Sequence, residues 1–296
     1  MKLNPKETNK GILAIVLLAL SFSFIAILPR YFSYSFKLFQ QVYLRTITAL
    51  IFSIFIFRKR IKFQHFFKAT KKDYLLLLFR ATSYYLLGVS LWAQASIITK
   101  ISNVSFISSI PISAILGFIL LKEKITKKRV LLVLISFIGV LIVSLNNFSI
   151  TSFGRGEVLI LLSTIFLGIG KISRRWESTN LNDRESSIIL LFFASLLLFA
   201  TSQIVGEGIP LSNWNSGIIL AVIFGGLVNV GIAFFTTYGY SRVKAVVASN
   251  LIQLEIPLII IFGLIFYQEL PGFRELTGGL IIVASAIWMN KLDQKN

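Results

Sequence analysis

The feature that most constrains the fold of this chain is a short pattern that occurs twice. Residues 110–123 and residues 256–269 share Ile, Pro, Gly, Ile and Glu at the same spacing, with an offset of 146 residues. That offset is close to half of the 296-residue chain. Because an internal repeat indicates two copies of one structural unit, we expect two related halves, residues 1–149 and 150–296.

The composition is typical of a membrane protein. Hydrophobic residues make up 55% of the sequence and charged residues only 14%, whereas a soluble domain has about 25% charged residues. The chain has no Cys and a single His, which excludes disulfides, thiolate metal sites and His-based metal or catalytic clusters. It also lacks a phosphate-binding Gly loop that ends in Lys-Ser or Lys-Thr. We therefore expect no ATP-driven step, no cofactor and no enzyme activity.

Apolar segments recur along the whole chain and approach the roughly 20 residues that a helix needs to cross a bilayer. The ten predicted spans are 11–28, 36–57, 74–93, 104–121, 130–145, 157–172, 186–204, 217–238, 246–267 and 276–290. The first is followed by Pro29-Arg30-Tyr31 rather than by a small-residue cleavage site, so we expect it to stay as a span. The sequence therefore predicts an all-α integral membrane protein with ten transmembrane helices.

The distribution of Lys and Arg predicts the orientation of these spans. With the N-terminus in the cytoplasm, cytoplasmic segments hold 22 of the 30 Lys and Arg residues, and external segments hold 5. This bias is typical of cytoplasmic loops, so we place both termini in the cytoplasm and expect no nucleic-acid partner despite the net charge of +18. Each half has five spans, an odd number, so the second half is inverted relative to the first, as in many secondary transporters.

Charged side chains within the spans are the first candidates for a binding site, because a charge inside a bilayer normally faces a protein interior or an aqueous cavity. Arg45 shares a helical face with Gln41 and either lines a cavity or contacts backbone carbonyls between helices. Arg80 shares a face with Tyr84 and either lines a cavity or extends to the cytoplasmic surface. We expect Lys171, near the inner end of its span, to reach that surface.

Glu255 is the only acidic residue deep within a predicted span. It could carry a proton, bind the amine of a substrate, or act as a fixed counter-ion to Arg45 or Arg80. On a helical wheel it points about 200° away from Gln253, and its repeat counterpart Ser109 belongs to a series of small residues typical of helix packing. The sequence leaves a binding role and a helix-contact role open.

Aromatic residues and prolines complete the set of candidates. Trp92 and Tyr238 are equivalent under the 146-residue offset, and they either line a cavity or anchor span ends at the membrane interface. Pro111 and Pro257 interrupt the hydrogen bonding of their spans, and we expect helix kinks there. With Glu255 as the coupling residue or counter-ion, the predicted substrate-binding residues are Gln41, Arg45, Arg80, Tyr84, Trp92, Asn229, Tyr238 and Gln253.

Two five-span halves, each with a penultimate span that carries Pro and reaches Glu 12 residues later, resemble the EamA family of the drug/metabolite transporter superfamily. Arg45 and Arg80, with the segments 109–111 and 137–140, are most similar to its S-adenosylmethionine-uptake-like branch. The resemblance implies an inverted-repeat fold, alternating access and a central cavity lined mainly by spans one to four and six to nine, with spans five and ten peripheral.

Two positions depart from the family pattern. Leu132 stands where a Gly is common, and Leu191 stands where a second-half Arg would match Arg45. Because the second half lacks that Arg, we expect the cavity to be more positive on the side of the first half.

Together these features predict a secondary transporter in the cell (inner or cytoplasmic) membrane for a small polar metabolite, amino-acid-like or S-adenosylmethionine-like. Intramembrane Arg residues favour a carboxylate or phosphate on the solute, because Arg offers a planar pair of donors, and Glu255 would complement an amine. Glu255 would also allow proton coupling, and we expect a monomer or a weak homodimer. The alternatives are multidrug or metabolite efflux, and a non-transporting membrane partner or lipid-handling protein.

Overall fold

The computed structural model describes residues 5–108, 110, 112–121, 127–144, 154–178, 180–252 and 254–294, and the regular elements within them are helical. The α-helices of the first half are α1 (Pro5–Ala26), α2 (Leu28–Ser33), α3 (Leu38–Phe57), α4 (Phe63–Lys68), α5 (Lys71–Ala81), α6 (Ser90–Ile98), α7 (Ile101–Ser108), α8 (Ile112–Leu121) and α9 (Lys127–Ser144). Those of the second half are α10 (Arg155–Ile172), α11 (Asp183–Ile204), α12 (Ser216–Arg242), α13 (Ala245–Ile252), α14 (Glu255–Tyr267) and α15 (Phe273–Gln294). A π-helix, Thr82–Val89, joins α5 to α6.

Several helical stretches are long and apolar enough to cross a membrane. The six that qualify are Glu7–Ser33, Leu38–Arg60, Lys71–Ile98, Arg155–Trp176, Asp183–Ile204 and Ser216–Arg242. They correspond to predicted spans one, two, three, six, seven and eight, while α9 and α15 lie at the predicted fifth and tenth spans. The all-helical fold with apolar helices of membrane length is therefore confirmed, and the total of ten spanning helices stays a prediction.

The fourth and ninth predicted spans are each divided into two helices. In the first half α7 ends at Ser108 and α8 begins at Ile112, and in the second half α13 ends at Ile252 and α14 begins at Glu255. Pro257 is the third residue of α14, where a backbone N–H would have no intrahelical partner in any case. Pro257 thus follows a break between two helices and does not lie at a kink within one helix. Pro111 lies outside the described residues.

Close helix contacts bring the two halves together. Helix α1 packs along α12, and α3 packs against both α11 and α12. A Cβ atom added at Gly225 would lie 3.0 Å from Cδ of Arg45, and one added at Gly226 would lie 2.7 Å from Cβ of Thr48. These glycines allow α12 to approach α3 at the centre of the molecule, whereas α9 packs along α15.

Candidate functional site

A cavity lies between the two halves, with about 1100 Å³ of empty space including its opening. The first half contributes lining residues from α1, α3, the π-helix, α6, α7 and α8, and the second half contributes them from α10, α12, α13 and α14. In the part of the chain that the structure describes, no lining residue comes from α9, α11 or α15. The helices at the predicted fifth and tenth spans therefore stand apart from the cavity.

Both helix breaks adjoin this cavity. Ser108 and Ile112 line it beside the break in the first half, and Ile252 and Glu255 line it beside the break in the second half. Interrupted helices at corresponding positions of two repeats are typical of transporter substrate sites, because helix ends present free backbone groups and partial charges to a bound solute. The helix breaks near the repeated segments of the two halves therefore both lie beside the cavity.

Arg45 is a buried cation of the cavity wall. Its side chain is 2% exposed, its Nε donates a hydrogen bond to the carbonyl oxygen of Gln41 at 3.1 Å, and its Cζ lies 5.8 Å from the centre of the Phe32 ring. Among the described residues no carboxylate forms an ion pair with Arg45. Because a buried charge without a counter-ion is costly, a solute that supplies an anionic group would stabilise this side chain.

Glu255 and Lys171 supply the other charges of the cavity. Glu255 is 7% exposed, and its carboxylate accepts no hydrogen bond from the described part of the chain, whereas its backbone carbonyl accepts one from Ser23. Nζ of Lys171 lies 5.1 Å from the centre of the Phe22 ring. The carboxylate and the ammonium group attract each other without a direct ion pair.

The position of Lys171 differs from the expectation from the sequence. We expected Lys171 to reach the cytoplasmic surface, but its side chain lines the cavity, and its span continues through a 3-10 turn to Trp176. We also considered Arg45 or Arg80 as the partner of Glu255. Arg80 pairs with Glu177 instead, a partnership with Arg45 stays a prediction, and Lys171 is a further cation that attracts Glu255. The sequence did indicate a cavity position for Lys171, because a charge within a span often faces a cavity. Its nearness to the predicted helix end favoured the interpretation that it reaches the surface.

Three uncharged candidates line the cavity together with Arg45 and Glu255. They are Tyr84 in the π-helix, Trp92 in α6 and Asn229 in α12. Asn229 donates a hydrogen bond from Nδ2 to the Gly225 carbonyl at 2.8 Å. The structure therefore brings five of the predicted site residues to one cavity, and π-helical turns such as the one around Tyr84 are frequent at functional sites.

Arg80 lies outside the cavity lining. It is 1% exposed, and each nitrogen of its guanidinium donates a hydrogen bond: Nε to the Gly170 carbonyl at 3.1 Å, Nη1 to Oε1 of Glu177 at 2.7 Å, and Nη2 to Oγ1 of Thr237 at 3.0 Å. The structure thus places Arg80 neither in the cavity lining nor at a water-exposed surface, because fixed partners from three other segments hold this side chain.

The Arg80–Glu177 pair belongs to a larger charge network near the start of α11 and the end of α12. Arg174 lies 3.3 Å from Glu177 and 2.8 Å from Asp183, and Arg242 lies 2.7 Å from the other oxygen of Asp183. Tyr238 belongs here as well, because Cζ of Arg242 lies 3.7 Å from the centre of its ring. The equivalence of Tyr238 with Trp92 therefore does not extend to the cavity.

The remaining two candidates for substrate binding are Gln41 and Gln253. Gln41 is 1% exposed and does not line the cavity, and its contribution is the carbonyl oxygen that accepts the hydrogen bond from Arg45. Gln253 lies outside the described residues.

A second set of contacts, the Arg30 clamp, ties helix ends together beside the cavity. Arg30 pairs with the carboxylate of Glu269 and donates from Nη2 to the carbonyls of Thr99 at 2.7 Å and Ser96 at 3.2 Å. Glu269 in turn accepts the backbone N–H of Ile101 at 3.0 Å. Ser96 and Ile101 both line the cavity, so the clamp connects α2, the α6–α7 connection and the end of α14 next to it.

Comparison with known proteins gives the family. The EamA-like transporter family matches the chain twice, over residues 9–145 and 154–291. The chain belongs to this family. It is thus a drug/metabolite-type membrane transporter with two EamA repeats, which confirms the resemblance seen in the sequence. The match names the family and no branch within it, and the predicted boundary between residues 149 and 150 falls between the two matched segments.

Solved structures agree at the level of the fold. One crystal structure superposes with a TM-score of 0.63 over 98% of this chain and 96% of the other chain, at 16% sequence identity. At that identity the likeness shows the fold alone. No curated protein matches the sequence significantly.

Proposed function

We propose that this EamA-family protein is a secondary transporter for a small amino-acid-like metabolite, which binds in the cavity between the two repeats. The observation that carries the proposal is the placement of Arg45, a buried guanidinium that faces the cavity and forms no ion pair with a described carboxylate. A planar guanidinium can bind a carboxylate through two parallel hydrogen bonds, and a solute carboxylate would compensate its charge.

The other lining residues support the same solute class. Glu255 offers a carboxylate to an amine, and the aromatic rings of Tyr84 and Trp92 supply apolar surface next to the charged groups. Asn229 adds an amide whose oxygen accepts no hydrogen bond from the described residues. This arrangement, a mostly apolar pocket with a few convergent polar groups, is typical of small-molecule sites.

Alternating access is the transport mechanism that we propose for this site. Opening the cavity toward the side of the Arg30 clamp would require Arg30 to separate from Glu269 and from the carbonyls of Ser96 and Thr99. Opening toward the other end would require the network around Arg242 and Asp183 to rearrange. The proposal retains a cytoplasmic-membrane location with both termini in the cytoplasm, and a monomer or weak homodimer.

A thermal-shift screen tests the solute class directly. The purified protein in detergent would be heated with amino acids, organic anions, nucleosides and S-adenosylmethionine, each in the wild type and in Arg45→Ala. A solute that binds only the folded state at about 100 times its Kd adds about 2.7 kcal/mol to the free energy of unfolding. We expect amino-acid-like solutes to raise the melting temperature of the wild type alone. Stabilisation by a nucleoside that Arg45→Ala leaves unchanged would contradict the proposal.

Proton coupling through Glu255 is a separate part of the proposal. Its carboxylate faces the cavity and has a cationic neighbour in Lys171, so a proton on Glu255 would change the charge that a solute meets. We expect Glu255→Gln, which cannot exchange a proton, to transport at a rate that no longer responds to a pH gradient across proteoliposomes. An unchanged response in this variant would remove Glu255 from coupling and leave only solute binding.

A further inference from the structure

The charged side chains of the cavity do not balance. Arg45 and Lys171 each bring one positive charge, and Glu255 brings one negative charge. The other charges close to the cavity are already paired, Arg80 with Glu177 and Arg30 with Glu269. The cavity lining therefore carries one uncompensated positive charge among the described residues, in surroundings where charge is poorly screened.

Lys171 decides this balance. Its ammonium group and the Glu255 carboxylate belong to residues that line the same cavity, and the two groups attract each other. Nζ of Lys171 also lies over the face of the Phe22 ring, where the ring quadrupole favours a cation. Two separate features therefore hold the ammonium group inside the cavity. Without Lys171, Glu255 would offset Arg45 and the cavity would be electrically neutral.

We infer that Lys171 is the residue that sets the charge selectivity of the cavity, and that the bound solute carries one net negative charge. The inference rests on the proposed function for the identity of the site, and it narrows the solute from amino-acid-like compounds in general to acidic ones. A solute with two acidic groups and one amine can pair with Arg45, Lys171 and Glu255 at once. A neutral zwitterion leaves one cation of the cavity unpaired, and a cationic sulfonium amino acid such as S-adenosylmethionine adds to the excess.

The natural lack of Cys allows a test that needs no substrate. A single Cys introduced by Ser108→Cys, at a half-buried lining position, would react with either 2-sulfonatoethyl or 2-(trimethylammonium)ethyl methanethiosulfonate. The ratio of the two rates, divided by the same ratio for a free thiol in solution, reports the electrostatic potential in the cavity. We expect the anionic reagent to be favoured by roughly tenfold, since one net positive charge at short range attracts the anionic reagent and repels the cationic one.

Variants of the charged residues then show which side chain produces the electrostatic potential in the cavity. We expect Lys171→Gln to remove most of the preference for the anionic reagent and Lys171→Arg to keep it, whereas Glu255→Gln should increase it. Lys100→Gln is the matched control, because Lys100 is a lysine whose side chain is 51% exposed and lies outside the cavity lining. A ratio that Lys171→Gln leaves unchanged, or that Lys100→Gln changes as much, would overturn the inference.

Solute binding completes the test. L-Glutamate and L-glutamine have nearly the same shape and differ by one net charge, so they isolate the effect of charge in the thermal-shift assay. We expect L-glutamate to stabilise the wild type more than L-glutamine does, and Lys171→Gln to reverse that order. A wild type that prefers L-glutamine would overturn the charge assignment while leaving transport of amino acids intact. A wild type that transports no amino acid but still reacts preferentially with the anionic reagent would count against the proposed function instead.

Discussion

Replacing Arg45 with Ala is expected to abolish solute transport while leaving the protein folded. The guanidinium lines the cavity and forms no ion pair with a carboxylate among the described residues, so under the proposed function we expect its strongest interaction to be with the solute. Hydrogen bonds to charged groups contribute about 1.5–3 kcal/mol each. Losing a bidentate contact of this kind would therefore lower the transport rate at limiting solute by a factor of a hundred or more, since about 1.4 kcal/mol corresponds to tenfold.

Uptake of a labelled solute into proteoliposomes measures this effect, and two variants serve as controls. Arg45→Lys keeps the charge but loses the planar pair of donors, so we expect a rate between those of the wild type and Arg45→Ala. Arg58→Ala removes an exposed arginine just beyond the end of the same helix and should transport normally. Wild-type transport by Arg45→Ala would show that the solute does not bind at this guanidinium.

Stability distinguishes a binding arginine from a structural one. Within the part of the chain that the structure describes, the hydrogen bond of the Arg45 side chain goes to the carbonyl of Gln41 in its own helix, and the variant also removes a buried charge that has no counter-ion among those residues. We therefore expect the melting temperature of Arg45→Ala to stay at or above that of the wild type in the absence of solute.

Replacing Arg80 with Ala is expected to have the opposite outcome, a large loss of stability. Arg80 and Glu177 form an ion pair at 2.7 Å with side chains that are 1% and 4% exposed. Removing one partner of a buried pair costs about 3–5 kcal/mol because the other charge stays buried. Here Arg174 remains 3.3 Å from Glu177, so we expect the lower end, about 3 kcal/mol, with further losses at the Gly170 carbonyl and Thr237 hydroxyl.

Thermal unfolding in detergent measures the change, and a double variant identifies its origin. Glu177→Gln in the Arg80→Met background removes the carboxylate that has lost Arg80, while Arg174 keeps its pairing with Asp183 at 2.8 Å. We expect the double variant to be more stable than Arg80→Met alone. An Arg80→Ala protein as stable as the wild type would mean that the ion pair contributes nothing, and normal folding with lost transport would place Arg80 in the transport cycle.

The sequence by itself determined the class of protein and the elements that carry the site. Apolar segments of membrane length and the repeated Pro and Glu positions follow from local composition and spacing, and the helical structure and the family match agree with them. The charge bias of the loops follows from composition as well, and the orientation that it indicates stays a prediction. The interior position of Arg45 was also predictable, because a charge in the middle of a span normally faces the protein interior or an aqueous cavity.

Only the tertiary structure decided the roles of the charges near the span ends. Arg80 and Lys171 both lie within a few residues of the predicted inner ends, and helical periodicity gives them the same choices. Their difference comes from partners distant in the chain: Glu177, 97 residues from Arg80, supplies a counter-ion outside the cavity, whereas Glu255 attracts Lys171 within it. Pro257 shows the same limit, since packing placed it after a helix break. Which partner a charged side chain meets depends on how helices from both repeats pack, and spacing along one helix does not contain that information.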